Sequence, residues 1–344
     1  MAAALTVFVG GLLVWSGINL VHGEPPGALW TPEDLPDLPA DHDNGWRVVA
    51  DRRTEIRQAA SRSVDATVRS WLSVDPALER PTREALITVE QASSRPAVRA
   101  AAEACEAALA KPAFVDGCPV DGAKPCPALE IAQCNRLNSY GLLRHVSRGQ
   151  WDRAGEGLER LIAHGEGHLG SARSVIGMLV ALRNQQETTR LGGQLWAWAL
   201  ADDATGALAG ARRRWLAFDA TRLDGASAVI GEYLQALHGA VQIDRGEAET
   251  GELGMPGFFF DAGATIAELN RLYRGAGGVS GATWRPAAPP RPYAEGAGWW
   301  IVNPLGKLYL DAVLPPPRVY DALADERSRL VAALAELKNT VGAR

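Results

Sequence analysis

The chain has 344 residues, 47% of them hydrophobic, and carries 35 Lys and Arg against 40 Asp and Glu, a formal net charge of −5. That apolar content is ample for a packed core. The mild acidity offers no basic stripe, so nucleic acid is excluded as an expected partner, and the length allows one large domain or two smaller ones.

Met1 to Val21 contains no charged side chain. A transmembrane helix needs roughly 20 apolar residues, and a signal-peptide core about 7–15. Residues 1–22 are therefore read as a transmembrane anchor. Val21-His22-Gly23 would also serve as a small-residue cleavage site, but the basic n-region of a signal peptide is missing. Trp15 and Trp30 suit membrane interfaces. Residues 23–43 hold Pro25, Pro26, Pro36, Pro39 and six carboxylates, with no Lys or Arg before Arg47, and read as an acidic, Pro-rich stalk. Orientation cannot be taken from the positive-inside rule, because no basic residue flanks the span closely.

The cysteines supply it instead. All four fall within Cys105 to Cys134. An even number in one short region suits two disulfides, which persist in oxidising compartments. Cys118 and Cys126 bracket a Gly/Pro/Asp-rich loop that could close on itself, leaving Cys105 and Cys134 to pair. Three connectivities are open to four cysteines. Zinc would call for CxxC-type spacing, which is absent; free buried thiols are the other alternative. The expectation is a single-pass protein of the cytoplasmic membrane with its body on the periplasmic side.

The body is Ala-rich and poor in β-branched or aromatic runs, so the fold class expected is all-α. A first helix is predicted from an Asp43-Asn44 cap, with Trp46, Val49, Ile56, Ala60, Val64, Val68 and Trp71 at helical spacing. Thr82 to Ser93 and Pro96 to Leu109 follow, Pro96 being well placed at a helix start. Leu169 to Ala201 reads as the central buried helix, its charges arguing against a span. Gly206 to Leu223 carries Arg212-Arg213-Arg214 beside Trp215. Ile230, Tyr233, Leu234, Leu237 and Val241 mark another amphipathic helix. The helical body is assigned to 44–250, and a C-terminal helical segment to 251–344, with helices near Ala262 to Arg274 and Leu305 to Val313. It includes a Gly/Pro loop at 275–298, long enough to be functional or mobile. A last helix carries Leu323, Leu330, Leu334, Leu337 and Val341.

Pro127 to Arg148 and Trp151 to Ala163 read as a helical hairpin whose junction is Arg148-Gly149-Gln150-Trp151-Asp152-Arg153-Ala154. A Gly, an aromatic two residues on, an acidic residue and a small Ala resemble the turn of a tetratricopeptide repeat. The likeness covers one unit of about 30 residues with no second copy, where an array needs about three. It implies a repeat-like hairpin. The wider layout resembles uncharacterised bacterial proteins that join an N-terminal anchor to an all-helical extracytoplasmic body, a likeness that implies no activity.

For chemistry, His164-Gly165-Glu166-Gly167-His168 is the sharpest candidate. Imidazoles at i and i+4 share a helix face and could hold a metal, with Glu166 as base or third ligand. The two glycines weaken a helix, so the segment is expected to be a loop between helices. Asp41-His42-Asp43 lies in the acidic stalk. No Gly-x-Ser-x-Gly, Ser-x-x-Lys or GxxxxGK[ST] occurs. No cofactor is expected. Phe258, Phe259, Phe260, Trp299 and Trp300 flank the Gly/Pro loop and are candidate interaction residues.

The function expected is that of a membrane-tethered interaction or scaffold protein, an accessory subunit with a protein partner in the envelope. The alternative is an extracytoplasmic hydrolase of wall or peptide substrates, metal-assisted through His164, Glu166 and His168.

Overall fold

The computed structural model describes residues 14, 24–59, 90–91, 94–121, 126–219, 223, 225–247, 260–274, 293, 302–315 and 317–342. Eleven helices are assigned within them: α1 Gly45–Asp51, α2 Arg53–Gln58, α3 Pro96–Leu109, α4 Ala128–Ser147, α5 Trp151–Ser171, α6 Val175–Ala201, α7 Ala209–Ala217, α8 Ala226–Asp244, α9 Ala262–Tyr273, α10 Pro304–Val313 and α11 Pro317–Gly342. The described residues form no strand beyond one isolated parallel bridge, Asn44 to Ala113. The protein is all-α. Apart from residue 14, residues 90–91 and residue 293, the anchor expected at 1–22, the predicted helix at Thr82 to Ser93 and the 275–298 loop lie outside the described residues. Among those described, no helix is long and apolar enough to cross a membrane.

The chain divides into two compact units. One comprises Met1–Leu35, Pro119–Lys124 and Ala226–Tyr320; the other comprises Pro36–Cys118, Pro125–Gly225 and Asp321–Arg344. The division falls at Gly225 and not at residue 250, because α8 packs on α9 and α10.

In the larger unit, α4 and α5 form the antiparallel hairpin, and α6 packs against both. The turn is set by Gly149 at φ 71°, a left-handed conformation that costs other residues roughly 1–2 kcal/mol. Ala154 is fully buried just after it. The helix predicted from Leu169 is interrupted: Ala172 leaves helical geometry, and Ser174 caps α6 by accepting the Gly177 N–H at 2.9 Å. α6 is the central helix, burying Met178, Leu182, Leu191, Leu195 and Trp196. The described part of the terminal helix in this unit buries Leu323, Leu330, Leu334, Leu337 and Val341, as its spacing predicts. Its Glu326 accepts from Gln186 Nε2 at 2.9 Å and from Arg183 Nε at 3.2 Å, tying it to α6.

The predicted cap at the start of the body is Asn44, whose Oδ1 accepts the Trp46 N–H at 3.2 Å. The helix that follows breaks at Arg52, separating α1 from α2. Trp46, Val49 and Ile56 then join Ala101, Cys105, Ile131 and Cys134 in one apolar core. Glu130, almost fully buried, lies 3.3 Å from Arg53 and 2.6 Å from Arg57.

The smaller unit is built on α8, α9 and α10, with Phe260, Ile266 and Leu305 in its core. Asn303, at φ 46°, caps α10 by accepting the Gly306 N–H at 3.1 Å, and also accepts the Asp261 N–H at 2.9 Å. Residues expected to form a free stalk are packed here. Leu29 N–H donates to Tyr233 Oη at 2.7 Å, Asn270 Nδ2 donates to the Gly27 carbonyl at 3.0 Å, and Trp30 meets the rings of Tyr233 and Tyr273 edge-on. The reason is physical: a Trp and two free backbone groups find an aromatic surface and polar partners, which outweighs the Pro-rich composition.

Candidate functional site

His164, Glu166 and His168 lie in the larger unit, and they are helical, not in a loop. α5 runs unbroken to Ser171 because its glycines serve close approach. A Cβ on Gly167 would lie 2.7 Å from the Phe114 carbonyl oxygen, and one on Gly165 would collide with the Gln185 side chain. The segment after α3 crosses α5 at this point. His164 Nε2 donates to the Lys111 carbonyl at 2.9 Å. The Phe114 ring sits between the imidazoles, its centroid 5.3 Å from His164 and 5.5 Å from His168.

The crossing is held by polar groups that sequence reasoning did not single out. Asn44 donates through Nδ2 to the Val115 carbonyl at 2.9 Å and accepts the Val115 N–H at 3.0 Å. Asp116 accepts the backbone N–H of Cys118 at 2.8 Å and of Arg173 at 2.9 Å. Its own N–H donates to Ser171 Oγ at 2.9 Å, and Ser171 donates on to the Gly167 carbonyl at 2.7 Å. No local signal marks these roles, because each partner lies 55 or more residues away except at Cys118 and Gly167.

The proposed metal ligands do not converge. His164 turns to Lys111, Glu166 Oε2 lies 3.2 Å from Arg214 Nη1, and His168 Nε2 is buried with no hydrogen-bond partner among the described residues. Among the described residues, no group of three or more His, Cys, Asp or Glu could hold a metal ion. The i, i+4 spacing places both imidazoles on one face, but packing between them is filled by Phe114. Burial lowers the pKa of His164, assisted by Arg160 and opposed by the Lys111 hydrogen bond. Burial also lowers that of His168, against the pull of Asp116. Glu166 is raised by burial, with Arg214 opposing.

Beside the imidazoles lies a cavity of about 40 Å³, bordered by Phe114, Asn138, His164, His168 and the Cys105 and Cys134 side chains. Such a volume accommodates roughly three water molecules, far less than a metabolite needs. The disulfides join Cys105 to Cys134 and Cys118 to Cys126, with Cα separations of 5.1 and 5.4 Å, so one of the three open connectivities is selected. The first pins α3 to α4 within the core; the second closes the Gly/Pro/Asp-rich loop.

Of the aromatic interaction candidates, Phe258, Phe259, Trp299 and Trp300 lie outside the described residues. Phe260 is not a surface residue: it is 1% exposed and packs edge-on against Tyr309. His42, in the Asp41–Asp43 turn, is exposed, with Nε2 3.4 Å from Asp43.

A larger cleft opens on the hairpin itself. It measures about 450 Å³ and is bounded by α3, α4 and α5. Gly141, Gly157, Arg144, Arg148, Arg153 and Arg160 line it, and a Cβ on Gly157 would lie 2.5 Å from the Leu142 side chain. No protein-family model matches this chain, nor does any curated protein or solved structure.

The crossing gives a test of why α5 is glycine-rich. Gly167→Ala is expected to lower stability by roughly 1–2 kcal/mol, because overpacking against the Phe114 backbone exceeds the helix-propensity gain. Gly170→Ala, with nothing within 4 Å of the new Cβ, is expected to raise it by up to about 1 kcal/mol. Denaturation midpoints with unchanged slope decide both; the same sign for the two would overturn the close-approach reading.

Proposed function

We propose that this protein is a membrane-tethered, extracytoplasmic helical scaffold that acts by binding a partner within an envelope complex. The observation that carries the reading is the pair of disulfides, Cys105–Cys134 and Cys118–Cys126, with the first built into the core. Disulfides of this kind are kept in oxidising compartments and lost in reducing ones. The uncharged segment at residues 1–22 supplies the tether in this reading. The residues with the strongest sequence claim to chemistry are engaged in packing: His164 holds the Lys111 carbonyl, and Glu166 pairs with Arg214. What remains accessible on the hairpin is the cleft between α3, α4 and α5, a surface suited to recognition.

The test has two arms. Full-length protein taken from bacterial cells and denatured without reductant should show no reactive thiol, and its body should be digested by protease added outside spheroplasts. In-cell crosslinking through a photoreactive residue in the cleft should then capture one envelope protein reproducibly. Four reactive thiols, or a body protected until the membrane is lysed, would overturn the compartment; a correctly placed protein that crosslinks to nothing would overturn the scaffold role.

A further inference from the structure

We infer that the α3–α4–α5 cleft is a binding site for a ligand bearing a multiply charged oxyanion, a phosphate or carboxylate group held by arginines. The inference rests on reading the hairpin as a binding surface and names the chemistry that surface recognises. Four arginines face the cleft against two carboxylates, Glu106 and Glu156, in a chain whose overall charge is −5. Not all four are equally available. Arg148 is paired with Glu90, and Arg160 lies 3.8 Å from Glu156. Arg144 and Arg153 form no ion pair among the described residues, and Arg144 Nε is buried without a hydrogen-bond partner.

A guanidinium nitrogen removed from water without an acceptor is costly, since the lost hydrogen bond is charge-assisted. One ordinary account of Arg144 is that it complements the C-terminal dipole of α4, where it stands in the last turn. That account leaves its Nε unused and says nothing of Arg153, which lies near the start of α5, where a cation is disfavoured by the dipole. Two cations that flank the α4–α5 turn therefore line one cleft, Arg153 against the preference of its own helix dipole. The absence of lysine from the lining favours planar, two-pronged recognition of an oxyanion over a diffuse positive field. Leu109 and Leu142 are the apolar members of a lining that is otherwise mostly charged and polar, and Arg148 and Arg160 stay about half exposed to solvent. The volume of about 450 Å³ falls within the range of small-molecule sites.

The experiment uses the full chain in neutral detergent micelles at low ionic strength. Titration calorimetry is run with pyrophosphate, with citrate, and with short-chain phosphatidylglycerol set against short-chain phosphatidylcholine. Saturable binding of at least one anionic probe is expected, weakened at least about tenfold by Arg153→Glu, the loss of one charge-assisted contact or more. Arg213→Glu makes the same charge change on an exposed arginine of α7 outside the cleft and should leave affinity unchanged. Arg153→Gln, with its melting curve compared to wild type, serves if the reversal unfolds the chain. Binding of pyrophosphate or citrate marks a soluble ligand; binding of phosphatidylglycerol alone marks a lipid headgroup. No binding of any probe, or equal weakening by Arg153→Glu and Arg213→Glu, overturns the inference. If that occurs while the envelope partner still crosslinks to the cleft, the scaffold reading stands and only the oxyanion chemistry falls.

Discussion

Replacing Cys105 and Cys134 together by Ala is expected to lower the stability of the larger unit by about 3.5 kcal/mol. The two residues are 29 apart in sequence, and closing a loop of that length removes about this much chain entropy from the unfolded state. Both sulfurs also sit in the apolar core, at 0% and 5% exposure, so their removal takes away packing as well. The bridge across the shorter loop, Cys118 to Cys126, spans 8 residues and should contribute about 2.5 kcal/mol by the same relation. Guanidinium denaturation of the two double variants, read at midpoint and slope, measures both. A change below about 1 kcal/mol at Cys105 and Cys134, outside the usual range for native disulfides, would mean that helix packing alone fixes α3 on α4. A larger loss for the shorter loop would show that its closure does more than limit chain entropy.

Stability is expected to fall steeply as the pH drops below about 6.5, and buried His164 and His168 are the cause. Burial holds both imidazoles below their ordinary pKa, with Asp116 and the Lys111 carbonyl only partly offsetting it. Above the unfolded value neither state binds a proton and stability is flat. Below it the unfolded chain takes up protons that the folded chain refuses, so stability is lost as pH falls. The slope approaches about 1.4 kcal/mol per pH unit for each histidine until the folded pKa is reached. Glu166 acts in the opposite sense, because its raised pKa lets the folded state take up a proton above the ordinary carboxylate range as pH falls. Denaturation midpoints between pH 8 and 5.5, compared with those of Glu166→Gln, isolate the histidines. His168→Gln should remove about half of the slope, having no proton to gain. A profile unchanged by that substitution would show that His168 is hydrated or paired in solution.

The comparison of sequence with structure turns on particular residues. Asn44 reads as a cap because a side-chain oxygen within two residues satisfies a free N–H, and it does so here. Pro96 opens α3, Gly149 turns the hairpin at positive φ, and the leucines of α11 are buried at their expected spacing. Each of these depends on neighbours a few residues away. Gly165 and Gly167 mislead for the same reason. Local propensity makes them helix breakers, whereas in the fold they admit Gln185 and the Phe114 backbone. Trp30 misleads likewise, since composition marks its surroundings as a stalk and its ring partners, Tyr233 and Tyr273, are remote.

By itself, then, the sequence determined an all-helical chain, its principal described helices, the α4–α5 hairpin and a cysteine set able to form two bridges. Only the tertiary structure decided which cysteines pair, that His164 and His168 pack against Phe114, and that α3 joins the α4–α5 hairpin in bounding one cleft. Helices and caps are specified by interactions within one or two turns. Pairings between segments many residues apart are settled by packing, where shape, burial and unmet hydrogen bonds are weighed over the whole unit.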